Sequence, residues 1–597
     1  MPDLSRILKA DTPLTLAQVA RGAQPLVMAD LARASKGRAV FIAPDDSAMR
    51  AIVDAAAFFA PELEVIEFPA WDSLPYDRAS PALSISARRL SALFRLQAGK
   101  AKAQLVVTTA NAVLQRVLSP FRIRESVREF KPGMEIGRKS LGLLLQKQGY
   151  GRTDTVIDKG EYAVRGSIVD IFPSGMDEAL RLDFFGDELE SLRTFDPNTQ
   201  MSTGRLDSHL LLPASEALLD EDSIKRFRSR YREMFGANAT QDPLYEAVSD
   251  GRRLAGMEHW LPLFEEKLAT LFDHLGKDDL IVIDQASIAA ADERVKDISD
   301  YYDQRTAITG QAKGNYRPLK PDALYLTGEE LKKALEAAPA HRTTPFDEPE
   351  SDKVVGFGFR SGRDFAPERA RGDNVYPVLA DHLKSLAKAG KRPLLAAYSK
   401  GSRSRIASIL EEAGTPVQMA ETWQEALGMA AKGKPAAMIL PVEASFANDE
   451  MELLTEQDIL GDRLVRRKKK RKDSDAFLAE LQALSVGDLI VHTEHGIGKY
   501  LGLEPIAVGK SKHDCVQLEY KGGDKLFIPV ENIDVLSRYG SSEEAVMLDR
   551  LGGEAWQKRR ARLKERINEI AGELMQVAAQ RALRKAPVFE IDEGPFN

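Results

Sequence analysis

The sequence predicts a multidomain α/β protein that also contains an inserted β module, a small bent β domain and a long carboxy-terminal helix. Strand-like and helix-like stretches alternate through much of the first 460 residues, which is typical of α/β layers. Closely spaced β segments interrupt this pattern after residue 120, and Gly-punctuated β segments return after residue 480. At 597 residues the chain is too long for one core, and roughly 150 residues per domain predicts about four domains.

The first α/β unit is predicted over residues 1–120 and resumes over 206–345. Its buried strands are predicted from short apolar runs at 38–43, 64–68, 104–109 and 279–284. Helical stretches separate these runs, and strands that alternate with helices favour a parallel sheet.

The inserted β module is predicted over 121–205, with β segments at 163–172, 180–185 and 189–195. Neighbouring residues of a strand point to opposite faces, so only one of Phe184 and Phe185 can lie in the core. An exposed phenylalanine beside Arg165 and Arg181 has the composition of a protein-interaction hot spot. The alternative is that both phenylalanines pack between two layers while Arg181 pairs with Asp183 or Glu188.

Four further segments follow. A second α/β domain is predicted over 352–460, without an assigned role, and 461–480 is a linker with a basic run at 463–472. That run is interpreted as a solvated tether, with DNA phosphate contact as the alternative. Residues 481–545 form a bent β domain with a hairpin at Gly522-Gly523 and an edge strand or strand end at Pro529. Residues 546–597 are predicted as a long helix with an apolar stripe at heptad-like spacing.

Composition excludes several classes of protein. The formal net charge of −7 provides no overall basic field for nucleic acid, so DNA contact must be local or made through partners. No apolar stretch reaches 18 residues and no signal peptide is visible, so we expect a cytoplasmic protein without a membrane span. The single Cys515 excludes an internal disulfide framework and is interpreted as a small packed residue.

No catalytic, metal or cofactor site is predicted in this chain. The nearest candidate phosphate loop, residues 21–25, has no Lys-Ser/Thr pair, and Pro25 removes an N–H donor. Asp284 ends a strand but lacks a following glutamate, so it is interpreted as a strand-end or capping residue. His492 and His495 have no evident third metal ligand, and turn or packing roles are favoured.

The segments GEYAVRG (160–166) and RLDFFGDELESLRTFDP (181–197) resemble the UvrA-binding module shared by UvrB and the bacterial transcription-repair coupling factors. Residues 68–81, FPAWDSLPYDRASP, resemble the UvrB-like region of the same coupling factors. The resemblance implies that Arg165, Arg181 and Phe185 contact UvrA. It also implies a degenerate helicase-like α/β domain, since UvrB has a functional phosphate loop here and this chain does not.

Residues 486–538 are similar to the RNA-polymerase-interacting domain of the coupling factors and of CarD-type regulators, a small Tudor-like β-barrel. The resemblance implies that a strand edge pairs with the polymerase β subunit, with Leu503, Glu504 and Ile506 as contacts. Core packing of Leu503 and Ile506 is the alternative. The final helix resembles the connection to an ATP- and Mg²⁺-dependent DNA translocase, whose motifs do not occur before Asn597.

The function implied is a non-catalytic adaptor that links stalled RNA polymerase to nucleotide-excision repair through UvrA. DNA contact is expected mainly through these partners or through the translocase. Two alternatives are a nucleotide-dependent enzyme with an unconventional ATP site and a CarD-type transcription regulator with an unrelated amino-terminal extension.

Overall fold

A computed structural model describes two compact units, Met1–Arg467 and Lys468–Asn597, each of which is considered by itself. The described residues are 4–77, 79–97, 103–173, 175–176, 178–197, 199–236, 240, 242–309, 316–461, 487, 489–492, 495–508, 511–529, 536–538 and 548–550. The predicted basic run 463–472 lies outside the described residues. So does the predicted long helix, apart from residues 548–550.

The strands of the first unit are β1 (Thr15–Val19), β2 (Ala39–Ala43), β3 (Glu64–Phe68), β4 (Gln104–Thr109), β5 (Arg128–Phe130), β6 (Gly151–Arg152), β7 (Glu161–Arg165), β8 (Ile168–Ile171), β9 (Ala179–Phe185), β10 (Glu188–Phe195), β11 (Ser202–Leu206), β12 (His209–Leu211), β13 (Leu280–Asp284), β14 (His341–Thr343), β15 (Val354–Ser361), β16 (Arg392–Ala397), β17 (Gln418–Met419), β18 (Ala436–Ile439), β19 (Phe446–Ala447) and β20 (Met451–Thr455).

The helices are α1 (Ser5–Leu8), α2 (Gln24–Ala34), α3 (Asp46–Phe59), α4 (Leu83–Gln97), α5 (Ala110–Leu114), α6 (Pro120–Ser126), α7 (Arg138–Lys147), α8 (Glu221–Phe235), α9 (Pro243–Ser249), α10 (Leu261–Phe264), α11 (Gln285–Thr309), α12 (Pro321–Leu324), α13 (Gly328–Ala337), α14 (Ala366–Arg371), α15 (Val375–Lys388), α16 (Lys400–Glu412), α17 (Trp423–Ala430) and α18 (Glu456–Leu460). Within the described residues, none of the helices combines the length and apolar character needed to cross a membrane.

One sheet of twelve strands runs through the first unit, in the order β17-β18-β16-β20-β19-β15-β1-β14-β13-β2-β4-β3. Strands β2, β3, β4 and β13 pair in parallel, as their spacing along the sequence predicts. Successive residues of β2 alternate between two apolar cores: Val40 and Ile42 pack on one face, and Phe41 packs on the other. Burial on both faces explains why these strands are continuous apolar runs.

The strands predicted within residues 352–460 extend this same sheet, because β15 pairs with both β1 and β19. Strands β16, β17 and β18 lie within this predicted α/β domain. The division of the chain into the domains proposed from the sequence stays a prediction.

The β module is a six-stranded sheet in the order β11-β10-β9-β8-β7-β6. The prediction of one β segment over 163–172 is wrong, since β7 and β8 form an antiparallel hairpin. Gly166 lies between them with φ of 60°, a left-handed conformation that glycine adopts without steric cost. One face of the sheet packs against α7, whose Leu141 and Leu145 share a core with Leu182 and Phe184.

A buried ion pair lies where the β module meets the α/β layer. Arg89 of α4 donates from Nε to Glu216 Oε1 over 2.6 Å, and both side chains are 0% exposed. Trp71 donates from Nε1 to the same oxygen over 2.8 Å. The Arg89 guanidinium also lies 4.5 Å from the ring centroid of Phe68. The segment 68–81 therefore contributes directly to this junction.

The second unit contains β21 (Leu489–His492), β22 (Gly496–Val508), β23 (Ser511–Glu519), β24 (Lys525–Pro529) and β25 (Leu536–Arg538). They form an antiparallel sheet in the order β24-β23-β22-β21-β25. Gly522 and Gly523 turn the chain between β23 and β24 with φ of 102° and 87°. Pro529 is the last residue of β24, which is the terminal strand of this sheet, in agreement with the predicted edge strand or strand end. Closure into a Tudor-like barrel stays a prediction, because no pairing joins β24 to β25 within the described residues.

Candidate functional site

The two phenylalanines at the end of β9 point in opposite directions. Phe184 is 5% exposed and lies in the core of the β module, whereas Phe185 is 79% exposed. The alternative in which both rings pack between two layers is therefore wrong. Arg181 and Asp183 precede Phe185 at alternate positions of β9, so all three lie on the same face of the sheet. This face points away from α7 and is called the outer face.

The outer face brings Arg165 and Arg181 together at Asp170. Arg181 holds this carboxylate with two hydrogen bonds, from Nε to Oδ1 over 2.7 Å and from Nη2 to Oδ2 over 3.0 Å. Arg165 donates to the same Oδ2 atom. Asp170 is 0% exposed, while the side chains of Arg165 and Arg181 are 45% and 15% exposed. The hydrogen bond to Asp170 raises the pKa of Arg181 above its ordinary value, so the guanidinium stays charged.

The sequence-based alternative that pairs Arg181 with Asp183 or Glu188 is also wrong. Asp183 instead accepts hydrogen bonds from Arg193, across the β9–β10 pair. Asp170 lies directly opposite Arg181 in the β8–β9 register, and cross-strand neighbours are close enough to form an ion pair.

Gln200 is a second residue that both arginines contact. Arg165 Nη2 donates to Gln200 Oε1 and Arg181 Nη1 donates to the Gln200 carbonyl, each over 3.2 Å. Sequence reasoning missed both Asp170 and Gln200. The register of the β7–β8 hairpin could have identified Asp170, but Gln200 lies in a turn that shows no periodic pattern.

The outer face therefore presents the exposed ring of Phe185 and the partly exposed Arg165. Beneath them, Asp170 pairs with both Arg165 and Arg181 within the module. Phe185 lies four residues from Arg181 along β9, which corresponds to roughly 13 Å at about 3.3 Å per residue. Aromatic residues and arginine are enriched at protein-interaction hot spots. This arrangement can dock a protein surface that supplies an apolar recess and acidic groups.

The second candidate site is an edge of β22. Residues 496–499 of this strand pair with β21, whereas 499–508 pair with β23 on the other side. From residue 501 onward, one edge of β22 thus has no strand partner among the described residues. Leu503 is 58% exposed and Glu504 is also exposed, so the core-packing alternative for Leu503 is wrong. The side chain of Ile506 lies outside the described part of the structure.

Other parts of the chain pack against residues 21–25, the nearest candidate phosphate loop. A Cβ atom placed on Gly22 would come within 2.0 Å of the Ala444 carbonyl oxygen, so this carbonyl lies against the turn before α2. The Gln24 amide donates to the Asp284 carboxylate. Asp284 Oδ1 also accepts from Ala286 N over 2.8 Å at the start of α11, which confirms the predicted capping role.

His492, His495 and Cys515 have packing roles in the second unit. The two histidine rings stack with centroids 4.5 Å apart, and His495 N donates to His492 Nδ1 over 3.2 Å. Cys515 is 4% exposed. These contacts agree with the turn and packing roles favoured from the sequence.

Two family models match the regions that contain the candidate sites. Residues 129–216 match the UvrB interaction domain, and residues 484–540 match the CarD-like/TRCF RID domain. The first range includes Arg165, Arg181 and Phe185, and the second includes Leu503.

Curated relatives match nearly the whole chain. It is 31% identical over 594 residues to the transcription-repair-coupling factor of Haemophilus influenzae, covering 98% of this chain and 50% of the relative. The Escherichia coli K12 and Rickettsia bellii proteins of the same name are 30% and 31% identical, covering 99% and 94% of this chain. Coverage of these two relatives is 51% and 48%, so the chain spans about half the length of the curated relatives it matches.

Proposed function

The chain belongs to the transcription-repair-coupling factor family, corresponding to its amino-terminal region, and on this premise we propose that it is an adaptor between RNA polymerase and UvrA. The observation that carries the proposal is the presence of two different protein-docking features in one chain. One is the outer face with Phe185, and the other is the open edge of β22.

UvrA is the proposed partner of the outer face. The proposal is supported by the match to a UvrB interaction domain and by an aromatic ring that no local contact buries. Arg165 is the exposed cation that can reach an acidic group on UvrA. Arg181 mainly holds Asp170 and the Gln200 turn in place, so its contribution to binding is largely one of positioning.

The RNA polymerase β subunit is the proposed partner of the β22 edge, with Leu503, Glu504 and Ile506 as contacts. The unpaired backbone groups of a strand edge can bind a strand of another protein, and alternate side chains then determine specificity. A CarD-type regulator with an unrelated extension is disfavoured, because the UvrB interaction domain match lies within that extension.

The variant Leu503→Asp is expected to weaken binding of the whole chain to RNA polymerase by about tenfold or more. A charge at an interface position loses apolar burial and must be desolvated, and tenfold corresponds to about 1.4 kcal/mol. Binding can be measured by surface plasmon resonance with immobilised polymerase. The matched control is Phe527→Asp, since Phe527 is 37% exposed on the terminal strand β24.

We expect the Phe527→Asp control to bind like the parent chain. If Leu503→Asp also bound like the parent while circular dichroism showed both folded, Leu503 would not be a polymerase contact. If the parent chain did not bind polymerase at all, the proposed role of the second unit would be wrong.

We also propose that the chain itself hydrolyses no ATP and requires no bound cofactor. Support comes from the Ala444 carbonyl against Gly22 and from the bond between Gln24 and Asp284, both of which lie at the candidate phosphate loop, residues 21–25. Full-length relatives are proposed to use ATP and Mg²⁺ for DNA translocation in the part of their length that this chain does not cover.

Purified chain with Mg-ATP and double-stranded DNA is expected to turn over less than about 0.1 ATP per second, well below the usual range for enzymes. The control is Asp284→Ala, because a contaminating ATPase would be insensitive to this change. Turnover above that rate that is lost in Asp284→Ala would reveal an unconventional ATP site and contradict the proposal.

A further inference from the structure

Two further apolar side chains of the β module are exposed near the opposite end of β9 from Phe185. Met201 is 71% exposed and Ile157 is 56% exposed. Met201 precedes β11, whose first residue Ser202 pairs with Phe195, and Phe195 pairs with Ala179 at the start of β9. Ala179 and Phe185 are six positions apart, so the two exposed apolar regions lie roughly 20 Å apart at about 3.3 Å per residue.

Met201 directly follows Gln200, the residue that Arg165 and Arg181 both contact. Gln200 Nε2 donates to the carbonyls of Val156, over 3.1 Å, and Pro197, over 2.6 Å. Because Ile157 follows Val156 and Met201 follows Gln200, the hydrogen bond from Gln200 to Val156 connects the two segments that carry the exposed side chains. The arginine–aspartate network therefore supports this end of the face as well as the centre.

Gln200 adopts φ of 60°, the left-handed region that a side chain other than glycine rarely occupies. Such a conformation persists only where the surroundings determine it, and strained residues of this kind concentrate at binding sites. Here the surroundings are Arg165, Arg181 and two backbone carbonyls. An ordinary solvated turn needs no such set of contacts.

Between the two ends, arginines line up across three adjacent strands. Arg181 of β9 pairs with Arg193 of β10, which pairs with Arg205 of edge strand β11. Asp170 balances Arg181 and Asp183 balances Arg193, whereas exposed Arg205 has no carboxylate partner among the described residues. The row thus ends in a cation that is available to a partner.

We propose that Met201, Ile157 and Arg205 form a second contact region for the same partner that takes Phe185. This inference rests on the proposed function, which identifies that partner as UvrA. The matching surface of UvrA has two apolar recesses roughly 20 Å apart. A carboxylate lies opposite Arg205, near the recess that receives Met201. Continuity with the Phe185 site and the unbalanced charge of Arg205 support this occupant.

The test is the affinity of the whole chain for purified UvrA, measured by isothermal titration calorimetry. The variants are Met201→Asp, Ile157→Asp and Arg205→Glu, with Phe185→Ala as a reference for the first contact region. Leu143→Asp is the matched control, because Leu143 is 59% exposed on α7, which packs on the other face of the same sheet.

We expect Met201→Asp to weaken binding by roughly tenfold or more, and Arg205→Glu by about three- to tenfold with a shallower salt dependence. Ile157→Asp is expected to weaken binding in the same direction as Met201→Asp, and Leu143→Asp to bind like the parent. If Phe185→Ala weakened binding while the Met201, Ile157 and Arg205 variants all bound like the parent, the second contact region would be disproved and the proposed function would stand.

Equal weakening by Leu143→Asp would show that any added charge perturbs the module, and would also overturn the inference. Failure of the parent chain to bind UvrA would instead contradict the proposed function itself. Thermal unfolding of each variant distinguishes loss of contact from loss of fold, since all five substituted side chains are exposed and their replacement should leave stability nearly unchanged.

Discussion

Replacing Phe185 with alanine is expected to reduce affinity for UvrA by roughly 30- to 1000-fold, about 2–4 kcal/mol, without destabilising the chain. The ring is 79% exposed, so its removal costs the free protein little apolar burial. In a complex, the same ring would be the large apolar group of the outer face that enters a recess of the partner. Calorimetry against purified UvrA measures the affinity, and denaturant unfolding measures the stability.

Phe184→Ala is the matched control for this prediction. Phe184 is adjacent, has the same side chain and is 5% exposed, so its truncation should lower the free energy of unfolding by about 3–5 kcal/mol. If a folded Phe185→Ala variant bound UvrA with wild-type affinity, Phe185 would not be part of the interface. Arg181→Ala is a less clear probe, because it also leaves buried Asp170 with Arg165 as its remaining arginine partner.

Replacing Glu216 with alanine is expected to destabilise the first unit by about 3–5 kcal/mol. The change leaves the guanidinium of Arg89 buried without its carboxylate and removes the acceptor of Trp71 Nε1. An unpaired charge in the interior loses its hydration without the attraction of a counter-ion. The effect is measured as the shift in the denaturant concentration at which the first unit unfolds, followed by tryptophan fluorescence.

Glu67→Ala is the control for Glu216→Ala. Glu67 pairs with Arg88 over 3.0 Å, but their side chains are 24% and 45% exposed, and pairs of this kind contribute about 0–1 kcal/mol. The double variant Arg89→Met with Glu216→Leu should recover much of the loss, since it removes both buried charges. If the free energy of unfolding of the Glu216→Ala variant lay within about 1 kcal/mol of the parent value, the buried-pair explanation would be contradicted.

The buried strands could be predicted wherever a short apolar run in the sequence marks them. The apolar runs at 64–68 and 104–109 are strands β3 and β4 with the predicted bounds, because both faces of this sheet are covered. The sequence pattern does not predict strand β1, in which Gln18 interrupts the apolar residues and has φ of 55° at an irregularity in the pairing with β15. The pattern over 163–172 does not reveal the hairpin of β7 and β8, because the turn between them depends on the φ of Gly166.

The residues of the candidate site on the outer face could likewise be predicted only in part. Alternation along a strand was enough to predict that one of Phe184 and Phe185 is exposed, but not which of them. That choice depends on which face of β9 packs against Leu141 and Leu145 of α7. Nor could the alternation identify Asp170 as the carboxylate that Arg165 and Arg181 share, because this requires the register of three strands.

The sequence by itself determined the α/β class, most of the buried strands and the positions of the residues proposed to bind partners, since these depend on composition, periodicity and short motifs. Only the tertiary structure decided which charges neutralise one another, as with Glu216 and Arg89, and what lies against Gly22, namely Ala444. Arg89 and Glu216 are 127 positions apart in the chain. Contacts over such separations are set by strand order and packing, which no local pattern encodes.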